Sequence, residues 1–164
     1  MRACSAKRRV TRDAAPSSGR LMFAVVAAPA APPHLSFLAF DFGTRRVGVA
    51  AGNTLTGSAR PLRTLVGGAA PPFEAIARLV DEWRPDALVV GVPLHPDGAP
   101  HANTRRARRF AQQLEQRFGL PVHPVDERYT TTEARAQRAG DLDAAAAAII
   151  LEQFLREHAM EPGR

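Results

Sequence analysis

The stretch "LSFLAFDFGTRRVGVAAG", Leu35 to Gly52, decides how this chain is read. Two apolar runs, "LSFLAFDF" and "RVGVAAG", have the length of strands and flank Gly43-Thr44-Arg45, which reads as a tight hairpin. Asp41 stands near the end of the first run, just before that turn and close to Arg45 and Arg46. A carboxylate at the end of a buried strand is costly unless something compensates it. On these residues alone three readings are open: a metal ligand, a hairpin residue bonding its neighbours' amides, or part of a phosphate-binding loop. Gly43 is expected to leave room for substrate backbone.

Beyond the hairpin, "SARPLRTL" (Ser58 to Leu65) reads as a third strand, with Pro61 placing it at an edge or a bulge. After "GGAAPP", Phe73, Ile76, Val80 and Trp83 recur at helical spacing, and Arg84-Pro85 ends that helix. "DALVVGVP" is a continuous apolar run of the kind buried in parallel sheets. Ala107, Phe110, Leu114 and Phe118 mark a second helix stopped by Gly119, and "LPVHPV" a fifth strand. Thr130 and Glu133 form a capping box for a helix starting at Tyr129 or Thr130. A last helix begins near Asp143, with Ala147, Ile150, Leu151, Phe154 and Leu155 as its apolar stripe. Antiparallel strands followed by alternating helix and strand predict an α/β layered domain with a mixed sheet.

The chain has 164 residues and a formal net charge of +6. A domain of this size buries roughly 70% of its extended-chain surface, enough for one self-sufficient core. Six basic residues and one acid in positions 1–20 account for +5 of the charge, so the remainder is nearly neutral. Any nucleic-acid argument must therefore rest on where the folded part places its arginines. The single cysteine, Cys4, excludes an internal disulfide framework and any cysteine-cluster metal site, and fits an intracellular setting. The basic start and the short run "LMFAVVAAPAA" imitate a signal peptide, and Arg8-Arg9 a twin-arginine signal. The run is too short to span a bilayer. Residues 1–34 are read instead as a disordered Ala/Pro/Arg-rich extension, with Met22 as a candidate internal start, 35–158 as the folded domain and 159–164 as a flexible tail.

Three acidic positions stand at element ends: Asp41, Asp126-Glu127 after the fifth strand, and Asp143 at the last helix. In layered α/β folds, sites gather at strand carboxyl ends, so these groups can meet in one crevice. Clustered carboxylates raise one another's pKa unless a hard cation neutralises them, and Mg²⁺ or Mn²⁺ suits such an all-oxygen set. Each has a plainer reading. Asp126 is equally a turn residue, and Asp143 a helix N-cap or first-turn acid, a role for which Asp141 competes.

Taken together, "LAFDFGTRRVGVAAGN", "GSARPL", "VVGVPLHPDG", "TRRARRFAQQL", "LPVHPVDERYTTTEA" and "DLDAAAAAIILEQFL" resemble, in order, the YqgF/RuvX-type family. These are bacterial proteins described as pre-16S rRNA nucleases and formerly as Holliday junction resolvases. The resemblance covers about Leu38 to Leu155 and implies a ribonuclease H-like fold, a five-stranded mixed sheet with helices on both faces. It implies a cytoplasmic metal-dependent nuclease acting on the 5′ end of pre-16S rRNA, with branched DNA as the alternative substrate and a monomer or weak homodimer as its state. By position, Asp41, Glu127 and Asp143 become the catalytic carboxylates and ligands of Mg²⁺ or Mn²⁺, the alanine run after Asp143 favouring it over Asp141. Family members carry a longer basic loop where only "RAQRAGDL" separates Ala134 from Asp143, and the arginine-rich tail is no family feature.

Arg45, Arg46 and Arg128 lie near the carboxylates in sequence and are candidates for gripping the substrate. Arg105 and Arg106, with Arg108 and Arg109, crowd the first turns of the second helix, either as phosphate contacts or as a solvated face. "DFGTRRVGVAAG" also resembles the first phosphate loop of actin-like ATPases and sugar kinases, but those need a second lobe for which this chain has no length. A protein-kinase Asp-Phe-Gly is excluded because no glycine-rich loop or His-Arg-Asp accompanies it. The remaining rival is a nucleic-acid-binding module without catalysis.

Overall fold

In the computed structural model, residues 34–95, 97–127 and 141–159 are described. Residues 1–33 of the N-terminal extension, Arg128, the Thr130–Glu133 capping box and residues 160–164 lie outside them. Strands β1 (Ser36–Phe42), β2 (Arg46–Asn53) and β3 (Ala59–Val66) come first, followed by helix α1 (Phe73–Trp83), strand β4 (Ala87–Val92), helix α2 (Ala102–Phe118), strand β5 (Val122–Asp126) and helix α3 (Leu142–Ala159). The five strands form one sheet in the order β3-β2-β1-β4-β5. β1, β2 and β3 are antiparallel neighbours, whereas β4 runs parallel to both β1 and β5. Pro61 lies on edge strand β3 beside a register shift: Val49 pairs with Arg63 and Ala50 with Pro61, so Leu62 is the extra residue of a bulge.

Strand alternation divides the core into two layers. Leu38 and Phe40 of β1, Val47 and Val49 of β2, and Leu88 and Val90 of β4 pack against Ile76 and Leu79 of α1 and Phe110 and Leu114 of α2. Phe37, Ala39 and Val89 face the other way, onto Ile150, Leu151, Phe154 and Leu155 of α3. Being covered on both faces is why β4 is buried at all six positions and reads as an unbroken apolar run. Each large side chain buried here contributes about 1.5–3 kcal/mol.

The ends of the helices follow local rules. Arg84 closes α1 in the left-handed region (φ 46°), its N–H donating to the Val80 carbonyl, and Gly119 closes α2 in the same conformation. α2 starts from a capping box: His101 Nδ1 accepts from the Asn103 N–H, and the buried Thr104 hydroxyl accepts from the His101 N–H. That hydroxyl also donates to the Pro93 carbonyl, tying the helix to the end of β4.

Candidate active site

Asp41 has odd parity on β1, like Phe37 and Ala39, and therefore faces α3. Its two neighbours across the sheet are glycines. On β2 its register partner is Gly48. On β4 the position one beyond the Phe40–Val90 pair is Gly91. Both glycines are required by what lies on them. A Cβ on Gly48 would stand 1.8 Å from the Asp143 carbonyl oxygen, so the first turn of α3 rests directly on β2. A Cβ on Gly91 would stand 2.0 Å from Glu127 Oε1 and 2.5 Å from Ile150 Cδ1, so the Glu127 carboxylate folds back over β4. Asp41 is thus flanked on one side by Asp143 and on the other by Glu127.

The rest of α3 keeps this close seat. On the same face of β2, Ala50 meets Ala147 and Ala148, and a Cβ on Gly52 would come within 2.9 Å of Leu151 Cδ2. The alanine run from Ala144 to Ala148 is buried throughout, and Ala147 and Ala148 are the members that lie against Ala50, where small side chains allow the close approach. The helix start is fixed from the other side by Asp141. Its Oδ1 accepts from the Ala144 N–H at 3.2 Å, and its Oδ2 accepts from the Thr64 N–H of β3 at 2.9 Å. The Thr64 hydroxyl donates to Asp141 as well. Asp141 is therefore the cap, which leaves the Asp143 side chain free for a different partner. These bonds, the Thr64 hydroxyl first, hold the Asp141 carboxyl below its ordinary range.

The electrostatics of the three carboxylates follow from this crowding. Burial pushes Asp41 up from 3.8 to about 6, and the neighbouring Asp143 charge adds to the rise. Burial likewise pushes Glu127 from 4.5 to about 7, with the Asp41 and Asp126 charges contributing. Asp41 is the shared member, coupled to Asp143 on one side and Glu127 on the other. Among the described residues no three acidic or histidine groups stand close enough together to hold a metal ion as they lie. Asp143 leans instead to Arg46, whose Nε is 3.3 Å from Asp143 Oδ2.

Arg45 and Arg46 line an open groove of about 630 Å³ beside Asp143, with Gly43, Thr44, Val66 and Gly67. The Arg45 carbonyl accepts from the Gly67 N–H, tying the hairpin tip to the end of β3. Gly43 also serves the hairpin itself: a Cβ there would meet the Arg46 carbonyl at 2.8 Å. Arg105 and Arg106 are exposed on α2, which covers the sheet face opposite α3. Arg128 is outside the described residues. Sequence reasoning missed Gly48, Gly91 and Thr64. An isolated glycine inside an apolar strand run, as in "LVVGV", is the signal that points to close backbone approach.

The family model described as "RuvX: Holliday junction resolvase" matches residues 35–157. The chain belongs to the RuvX family. A relative from Polaromonas sp. strain JS666, named "Putative pre-16S rRNA nuclease", is 59% identical over 132 residues, covering 77% of this chain and 96% of its own. Another of the same name from Albidiferax ferrireducens is 61% identical over 121 residues, covering 74% and 78%. Among solved structures, T. thermophilus RuvC in complex with a Holliday junction substrate aligns with a TM-score of 0.52 at 14% identity, over 76% of this chain and 96% of that one. At that identity the likeness concerns the fold, which is ribonuclease H-like as the RuvX motifs imply.

Proposed function

We propose that this RuvX-family chain is a metal-dependent nuclease that hydrolyses phosphodiester bonds at the 5′ end of pre-16S rRNA. One observation carries the catalytic part: Asp41 lies between two bare glycines, with Asp143 seated over one and Glu127 over the other. The names of its relatives supply the substrate. In chemistry the donor set suits Mg²⁺ or Mn²⁺, because two half-buried carboxylates with raised pKa values and a third beside them are oxygen ligands that a hard dication would stabilise in their charged form, and the three side chains would have to draw together to close on one ion. Asp41, Glu127 and Asp143 would hold it, and when bound such an ion lowers the pKa of its water and stabilises the leaving oxygen. Glu127, raised to about 7, would give up its proton as it takes that role. Arg45, Arg46 and Arg128 grip the chain next to the cut, while Arg105 and Arg106 contact phosphates further along the RNA. Among the described residues no helix is long and apolar enough to cross a membrane. A ribosomal RNA precursor as substrate supports a cytoplasmic reaction.

The test is Mn²⁺-dependent cleavage of a 16S precursor by wild type and by Asp41→Asn, with a four-way DNA junction in parallel. Cleavage of the RNA by wild type alone supports the reading. Cleavage by Asp41→Asn above a mock-purified control removes Asp41 from the ligand set. Cleavage of the junction but not the RNA replaces the substrate. RNA binding by both proteins with no cleavage leaves a binding module.

A further inference from the structure

Arg46 opens β2 and shares parity with Gly48, Ala50 and Gly52, so it projects on the α3 side of the sheet. Its contact to Asp143 is the one ion pair between described residues. The two side chains are 67% and 31% exposed, so the pair is screened and readily exchanged. The same guanidinium borders the open groove of about 630 Å³, which gives it somewhere else to go. Asp143 therefore faces two competing cations: the arginine it holds now and the dication that the reading above assigns to it.

We infer that Arg46 is a positioning residue that trades partners, holding Asp143 in the free protein and turning into the groove onto an RNA phosphate once a dication occupies the carboxylates. This rests on the carboxylate reading given under the proposed function. While Arg46 pairs with Asp143 it opposes metal binding. Once displaced, it becomes a phosphate ligand with five donors on a flat fork, suited to two phosphate oxygens at once. Metal and RNA then favour each other's binding by the same factor, because linkage is reciprocal. The arginine also keeps Asp143 from repelling Asp41 outright while both are charged.

The experiment measures Mn²⁺ affinity by calorimetry without RNA for wild type, Arg46→Gln, Arg46→Lys, Asp143→Asn and Asp41→Asn. It also measures RNA affinity by anisotropy of a labelled precursor fragment, with and without Ca²⁺. Arg46→Gln is expected to bind Mn²⁺ about two- to fivefold more tightly than wild type, since an exposed competitor is gone. It is also expected to lose the gain in RNA affinity that Ca²⁺ gives wild type. Arg46→Lys, which keeps the charge, stays near wild type for Mn²⁺. Unchanged or weaker Mn²⁺ binding by Arg46→Gln, with Asp41→Asn still abolishing it, overturns the exchange and leaves the carboxylate site standing. Mn²⁺ binding by Asp41→Asn equal to wild type, or none by wild type, overturns the carboxylate site and the exchange with it. Thermal melts of each variant confirm folding, and a drop for Arg46→Gln that Arg46→Lys does not share counts against exchange and for a structural pair.

Discussion

Replacing Gly48 by alanine tests the seat of α3 directly. The new methyl carbon would stand 1.8 Å from the Asp143 carbonyl oxygen, 2.1 Å from its carbonyl carbon and 2.8 Å from the Ala144 nitrogen. All three are backbone atoms, so no rotamer change relieves the clash. Ordinary contact begins near 3.4 Å, so helix and strand must part by about 1.6 Å at this point. The Asp141 bonds to Thr64 oppose that movement, because they tie the same turn to β3. Overpacking of this kind costs roughly 1–3 kcal/mol, and the backbone location argues for the upper end. In a domain of this size that lowers the melting temperature by about 5–10 °C. Asp143 moves with the helix, and a displacement on the order of 1 Å at reacting groups costs about 100-fold in rate. The assay pairs a thermal melt with Mn²⁺-dependent cleavage of the precursor. The control is Gly68→Ala, where an added Cβ meets no heavy atom within 4 Å. Wild-type melting and full cleavage by Gly48→Ala would show that α3 does not rest on Gly48, and the explanation of the site would fall.

Two further outcomes follow from the same geometry. Asp141→Ala removes the α3 cap and the Thr64 anchor, and should cost about 1–2 kcal/mol in chemical denaturation while weakening Mn²⁺ binding less than Asp143→Asn does. The reverse order of Mn²⁺ affinities would make Asp141 the ligand. The second outcome concerns pH. Asp41 is raised from 3.8 to about 6 in the fold, so its stabilising contribution is complete below about pH 4 and is lost as pH rises through 6. Without dications, wild type should therefore lose about 1.4 kcal/mol relative to Asp41→Asn between pH 5 and pH 7.5. The comparison with the variant is essential, because His123, lowered by burial and by His158, works in the opposite direction over this range. Parallel stability curves for the two proteins would mean that Asp41 is not held in a desolvated, like-charged setting. Saturating Mn²⁺ should reverse the sign of the difference.

Much of this architecture is legible in the chain because it depends on local periodicity. The alternation in "LSFLAFDF" and "RVGVAAG", the unbroken "ALVVGV" and the stops at Arg84 and Gly119 are properties of neighbouring residues, and the elements form where those patterns lie. Asp41 was conspicuous for the same reason, as a charge at the end of an apolar strand. Which of Asp141 and Asp143 caps α3 was not settled by residue chemistry, since either acid can cap a helix. Asp141 takes the cap with help from Thr64, which lies 77 positions earlier and reaches it only because β3 folds back beside the start of α3. Arg105 and Arg106 illustrate the converse: their charge is plain in the sequence, but the face of the sheet that α2 covers is not.

By itself the sequence determined the order and kind of the elements, the candidate acids and the family motifs, because each is carried by side-chain pattern along the chain. Tertiary structure decided which acids face one another. Asp41, Gly48, Gly91, Glu127 and Asp143 belong to five separate elements or their ends, and they meet only through strand register and the depth at which α3 sits on β2. That depth is set by missing Cβ atoms, and a glycine shows its purpose only when something rests against it.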